Sequence, residues 1–100
     1  MGVLVLQKAL RKADFKKWLE KQDPNHRYNQ ASTFSCPIAA YYKDMDDSIF
    51  PVIMPDYRVI QGDFGSFKSS NPKWARCFID KFDHCNDSRA FMALAFLEDC

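Results

Sequence analysis

The eight residues from Ala90 to Leu97 contain no polar side chain, and they constrain the fold more than any other stretch of the chain. A helix that is apolar on every side belongs inside a domain or at an interface, and eight residues are too few to span a membrane. The surrounding sequence, Ser70 to Cys100, carries start and stop signals for two consecutive helices. Asn71 offers an oxygen to an orphan amide, and Pro72 suits the first helical position, where a missing N–H costs nothing. Trp74, Ala75, Phe78, Ile79 and Phe82 then recur at helical spacing as one apolar stripe. Cys85 to Ser88 interrupts that stripe, and Asp87 or Ser88 can cap a second helix opening at Arg89. Burial of this second helix at the centre of the fold is the expectation.

The remaining chain must supply a layer to cover these helices. Val3 to Leu6 is β-like, and Leu10 to Gln22 reads as an amphipathic helix burying Phe15, Trp18 and Leu19. A single helix from Val3 onward puts Leu6, Leu10 and Ala13 on the wrong face, so a break is expected near Lys12 to Asp14. Asp23-Pro24-Asn25 ends the helix, because the residue before proline resists the α region. Ser35-Cys36-Pro37 starts a short helix over Ile38 to Lys43. Tyr57 to Gln61 reads as a strand, paired with Val52 to Met54 or with Val3 to Leu6, and Pro51 and Pro55 favour an edge or a bulge. Gly62 to Ser66 reads as a turn. The expected fold is α+β, with three or four helices packed on a small antiparallel sheet or hairpin, and residues 1–100 as a single domain. Nine Phe, four Tyr and two Trp point to an aromatic core.

The catalytic and metal signatures fail on spacing. Cys77 and His84 are two helical turns apart, about 10 Å along one axis, and no Cys-x-x-Cys pair exists, so neither a metal site nor any cofactor is expected. Cys36 stands at a helix N-terminus, where the dipole can stabilise a thiolate, yet no oxyanion-hole glycine or third catalytic member accompanies it. Asp63-Phe64-Gly65 matches the kinase metal-binding tripeptide without the rest of a kinase. Asp44, Asp46 and Ser48 fit the first ligands of a calcium loop, but Ile49 stands where that loop needs Gly. With no secretory signal at the start, the four cysteines are expected as reduced thiols in a cytoplasmic protein.

Charge is unevenly placed although the net charge is only +1. Lys8 to Arg27 holds seven basic residues against three acidic ones, and Asp44 to Asp63 holds five aspartates against Arg58. The acidic set (Asp44, Asp46, Asp47, Asp56 and Asp63) is the first candidate contact surface, and the basic helix with Lys12, Lys16 and Lys17 is the second. An alternative is a small-molecule or nucleotide-binding protein, with Tyr41, Tyr42 and Tyr57 lining a pocket and Lys43 or Arg58 holding an anion. A nucleic-acid-binding regulator is a further alternative, but a domain of near-zero net charge lacks the usual basic footprint. A homodimer is compatible with each reading, and no membrane association is expected.

Several pieces share a layout with known small proteins: Phe15-Lys16-Lys17-Trp18-Leu19, Asp23-Pro24 with Tyr28, Cys36-Pro37-Ile38-Ala39-Ala40-Tyr41, and Pro72 with Trp74, Phe78 and Phe82. In these the chain resembles small accessory proteins encoded by phages and prophages, over about half of its length. Asp44 to Asp63 has no counterpart. The resemblance implies a mobile element acting in a bacterial cytoplasm, and it transfers no catalytic residue. The expected function is therefore non-enzymatic: binding, and thereby inhibiting, a host protein such as a defence factor.

Overall fold

The computed structural model describes residues 9–30, 33–63 and 65–100, so the expected strand at Val3 to Leu6 lies outside the described residues. The elements are α1 (Lys12–Glu20), α2 (Pro37–Met45), β1 (Phe50–Ile53), β2 (Tyr57–Gly62), β3 (Gly65–Ser70), α3 (Lys73–Asp83) and α4 (Ala90–Glu98). Among the described residues, four helices and one antiparallel sheet of order β1-β2-β3 give an α+β fold. No helix of the described residues is long and apolar enough to cross a membrane.

α1 begins at Lys12, with Ala9 to Arg11 outside the helix and Leu10 buried; the residues ahead of them, on which the expected break depends, lie outside the described residues. Phe15 of α1 is fully buried and is the hub of the core. Its ring meets Tyr41 of α2 and Phe78 of α3 edge-on at 5.5 and 5.4 Å, and lies nearly parallel to Trp18 and Trp74 at 6.0 and 5.8 Å. Such pairs add to the area term because edge and face carry opposite partial charge. Along α3, Ala75, Phe78, Ile79 and Phe82 are buried, as their spacing requires. α2 packs on β1, α1 on α2 and α4, and α4 on α3.

The register fixes which sheet residues face the helices. Pro51 opposes Ile60 and Ile53 opposes Arg58, and these four are buried. Phe50 opposite Gln61, and Val52 opposite Val59, point the other way. Pro51 is tolerated because β1 is an edge strand. The expected turn at Gly62 to Ser66 is shorter than anticipated. Gly62 already pairs with Gly65, and a third strand follows. That strand has the sequence Gly-Ser-Phe-Lys-Ser-Ser, which carries almost no apolar alternation, so its backbone hydrogen bonds reveal it and its pattern does not. Gly65 has φ +121°, a conformation that a side chain would strain.

Three expectations about the Ser70 to Cys100 stretch need correction. α4 is not buried all round: Ala90, Ala93 and Leu97 are covered, while Phe91 and Ala95 lie on an exposed stripe. The Arg89 guanidinium sits 4.4 Å from the Phe91 ring centroid and covers part of it. Asn71 does not cap α3; the N-cap is Pro72, and the Asn71 side chain is used elsewhere. The first amides of α4 are satisfied by loop carbonyls rather than by a side-chain cap, with Ala90 N donating to His26 O at 2.8 Å and Phe91 N to Pro24 O at 3.1 Å. Asp87 instead accepts from the backbone N and the guanidinium of Arg89, which holds its carboxyl at about 2.

The thiols are not all reduced. Cys77 of α3 and Cys100, just beyond α4, form a disulfide with Cα atoms 5.8 Å apart, while Cys36 and Cys85 are free. The bond ties the middle of α3 to the residue just beyond α4, two helices already in contact, across 23 residues. Closing a loop of that length in the unfolded chain stabilises by about 3 kcal/mol. Cys100→Ser is therefore expected to lower the unfolding free energy in urea by about 3 kcal/mol, with no further loss on adding a reductant. A second prediction concerns acid. Because the folded pKa of Asp87 lies below its ordinary 3.8, its contribution is fully present above about pH 4 and is lost as pH falls toward about 2. Asp87→Asn should be less stable than wild type at pH 6, with the two acid-unfolding curves converging near pH 2.

Candidate functional site

Arg58 is the most buried charged side chain described, at 6 % exposure. Its Nε donates to the Tyr42 hydroxyl at 3.0 Å, and Nη1 donates to Ser70 O at 2.8 Å and more weakly to Asn71 Oδ1 at 3.4 Å. Asn71 Nδ2 in turn donates to Met54 O at 2.6 Å and Pro55 O at 3.2 Å. One network thus ties α2, the middle strand, the end of β3 and the β1–β2 turn. Burial raises the Tyr42 hydroxyl pKa, and the adjacent guanidinium partly offsets the rise.

That network corrects the anion-pocket alternative. Arg58 points into the core, Tyr41 and Tyr42 are buried with it, and Tyr57 is on the opposite face of the sheet under the Lys68 ammonium. Lys43 donates to Asp47 O at 2.6 Å and Ile49 O at 3.0 Å, closing the turn after α2. These five residues do not line one pocket.

The five aspartates do not form one surface either. Asp44 accepts from the indole N–H of Trp18 at 2.7 Å. Asp46 accepts from the Ser48 backbone and hydroxyl at 3.0 and 2.6 Å, which lowers its pKa. Asp47 lies beside Lys43. Asp56 and Asp63 flank opposite ends of β2, about 23 Å apart at roughly 3.3 Å per residue. Trp18, expected wholly in the core, is half-buried and borders a shallow polar basin of about 310 Å³ with His26, Tyr28, Lys43 and Asp44. Burial, with the Asp44 charge second, pushes the Tyr28 hydroxyl up to about 12. On α1, Lys16 pairs with Glu98 of α4 at 2.6 Å, which raises the Lys16 pKa and lowers that of Glu98; Lys12 is half-buried and Lys17 exposed.

Two features emerge that the charge pattern did not indicate. The first is the outward face of the sheet, where Phe50, Val52, Tyr57 and Val59 take positions an uncovered antiparallel sheet usually gives to polar residues. Phe50 is 63 % exposed, with Lys43 Nζ 4.8 Å from its ring centroid, and Lys68 Nζ lies 4.3 Å from that of Tyr57. The uninterrupted apolar run Ile49 to Met54 was the available signal, because it leaves neither face of β1 polar.

The second is a cleft of about 220 Å³ walled by Ile38 of α2, Ile53 of β1, and Phe78, Ile79 and Phe82 of α3. Cys36 lines it, and the less buried Thr33, Pro55 and Asp83 form its rim. Cys36 is packed into the cleft wall, and its thiol is not activated by the helix start. Burial pushes the thiol up to about 11, outweighing the N–H groups of Ala39 and Ile38 at the helix start that pull it down. Neither histidine lines this cleft, and His84 lies on the surface beside Asp80. Among the described residues, no three His, Cys, Asp or Glu side chains gather as metal ligands. No protein-family model, curated protein or solved structure significantly matches the chain.

Tyr42→Phe is predicted to cost about 1–3 kcal/mol in urea denaturation, because it leaves the buried Arg58 Nε without its acceptor. A structural network predicts this loss with no change in the surface contacts described above.

Proposed function

We propose that the chain is a non-enzymatic binding protein of the phage accessory type, which attaches to a host protein such as a defence factor and blocks it. The observation that carries this reading is the outward face of the sheet, with Phe50, Val52, Tyr57 and Val59 uncovered by any helix of the described residues. Covering such a face removes apolar area from water, worth roughly 25 cal/mol per Å² before the costs of association. Lys43 and Lys68 hold positive charge over its two rings, so the complementary surface is apolar at its centre and carries carboxylates around it. The non-enzymatic part rests on Cys36, a buried and protonated thiol with no histidine in its cleft. Action inside a bacterial cell belongs to the same proposal and rests on the resemblance to phage and prophage proteins.

The test is affinity capture from a bacterial lysate on immobilised protein. Val59→Lys, which puts an ammonium in the middle of the face, should reduce the captured partner about tenfold or more while leaving the circular dichroism spectrum unchanged. Joint replacement of Asp44, Asp46 and Asp47 by Ala should leave capture intact. Equal capture by Val59→Lys and wild type, or loss on the aspartate replacement, overturns the assignment to this face. Self-association through the Phe91–Ala95 stripe of α4 is the rival reading, and a one-chain mass by light scattering excludes it.

A further inference from the structure

We propose that the cleft between the N-terminus of α2, the end of β1 and α3 is a binding site for a small uncharged aromatic molecule about the size of indole. Volume is the first argument. Protein interiors pack to crystal-like density, and a void forfeits dispersion contacts along its whole lining. An apolar cavity of about 150 Å³ stays dry and takes benzene. This cleft, at about 220 Å³, has room for a second fused ring.

Chemistry of the walls is the second argument. Ile38, Ile53, Phe78, Ile79 and Phe82 are at most 8 % exposed, so the space lies against core side chains rather than on an open surface. Phe78 and Phe82 are one helical turn apart with rings 24° from parallel and centroids 5.9 Å apart, offering two aligned aromatic surfaces on one side of the cleft. Among the described residues the side-chain hydrogen-bonding groups that line the space are the Cys36 thiol, the Thr33 hydroxyl and the Asp83 carboxylate. No lysine, arginine or histidine among the described residues lines it, and an anionic ligand would bring a second negative charge beside the Asp83 carboxylate. A charged headgroup driven among the isoleucines would lose its hydration with nothing in return. An uncharged ring avoids both penalties.

The position is also separate from the outward sheet face. The cleft lies on the helix side of β1, because Ile53 faces the core while Phe50 and Val52 face outward. Occupancy can therefore be measured without reference to any protein partner.

Indole is the probe, with indole-3-carboxylate as the anionic control. Titrating indole into the protein should give saturable methyl shifts at Ile38, Ile53 and Ile79 in heteronuclear NMR, and the carboxylate should bind at least about tenfold more weakly, a difference of about 1.4 kcal/mol. A second measurement needs no variant. Alkylation of Cys36 by iodoacetamide at pH 9, followed by peptide mass analysis, should slow about tenfold at an indole concentration ten times its Kd, while Cys85 is unaffected, because only the unoccupied fraction reacts. Thr33→Trp, which fills the rim, should abolish the shifts. Absence of saturable shifts up to the solubility limit, equal binding of the carboxylate, or unprotected Cys36 at saturating indole each overturns the proposal.

Discussion

The buried guanidinium of Arg58 is the constraint around which the sheet and two helices are arranged. A charge removed from water is tolerated only if its donors are met, and here the acceptors are the Tyr42 hydroxyl, the Ser70 carbonyl and the Asn71 amide oxygen. Those acceptors come from α2, β3 and the lead-in to α3, so satisfying one side chain fixes where three elements sit on the middle strand. Asn71 then passes the constraint to the β1–β2 turn through the Met54 and Pro55 carbonyls. This network explains why α3 begins without a side-chain cap. The residue best suited to cap it is already committed.

The same logic of local satisfaction runs over the surface. Asp44 with Trp18, Asp46 with Ser48, and Lys43 with two backbone carbonyls are polar groups that close turns and fasten elements. Exposed pairs of this kind are screened by solvent and carry little net energy, yet they occupy the groups that a charge count offers as recognition residues. The apolar outward face of β1 and β2 has no such internal partner among the described residues. Burial rather than charge therefore distinguishes the surface proposed for binding.

At Cys36 two opposing effects can be weighed directly. A helix N-terminus lowers a thiol pKa and removal from water raises it, and the resulting value of about 11 shows that desolvation wins. The thiol is thus part of an apolar wall. Cys77 and Cys100 show the converse: the lack of a secretory signal suggests reduced thiols, but the packing of α3 against α4 brings their Cα atoms to 5.8 Å, within bonding reach.

Much of the fold was legible in the sequence because it depends on periodicity. The stripe Ala75, Phe78, Ile79 and Phe82, the helix at Phe15 and Leu19, the Pro37 start of α2 and the strand at Tyr57 to Gln61 all follow from local pattern and proline chemistry, whereas the choice of β1 as partner of β2 came only with the structure. β3 was not legible, since Gly65 to Ser70 has no apolar alternation and exists because β2 offers an unpaired edge. The exposed side of α4 was hidden for the opposite reason: a helix apolar all round gives no phase, and only the positions of α1 and α3 decide which side is covered. The candidate sites follow the same division. Residue identity specified the apolar run Ile49 to Met54 and the aromatic stripe of α3. Only tertiary structure decided that Arg58 is spent inside, that Phe50 and Val59 face outward, and that Ile38, Ile53 and Phe78 enclose a cleft, because each depends on contacts between elements that local pattern does not encode.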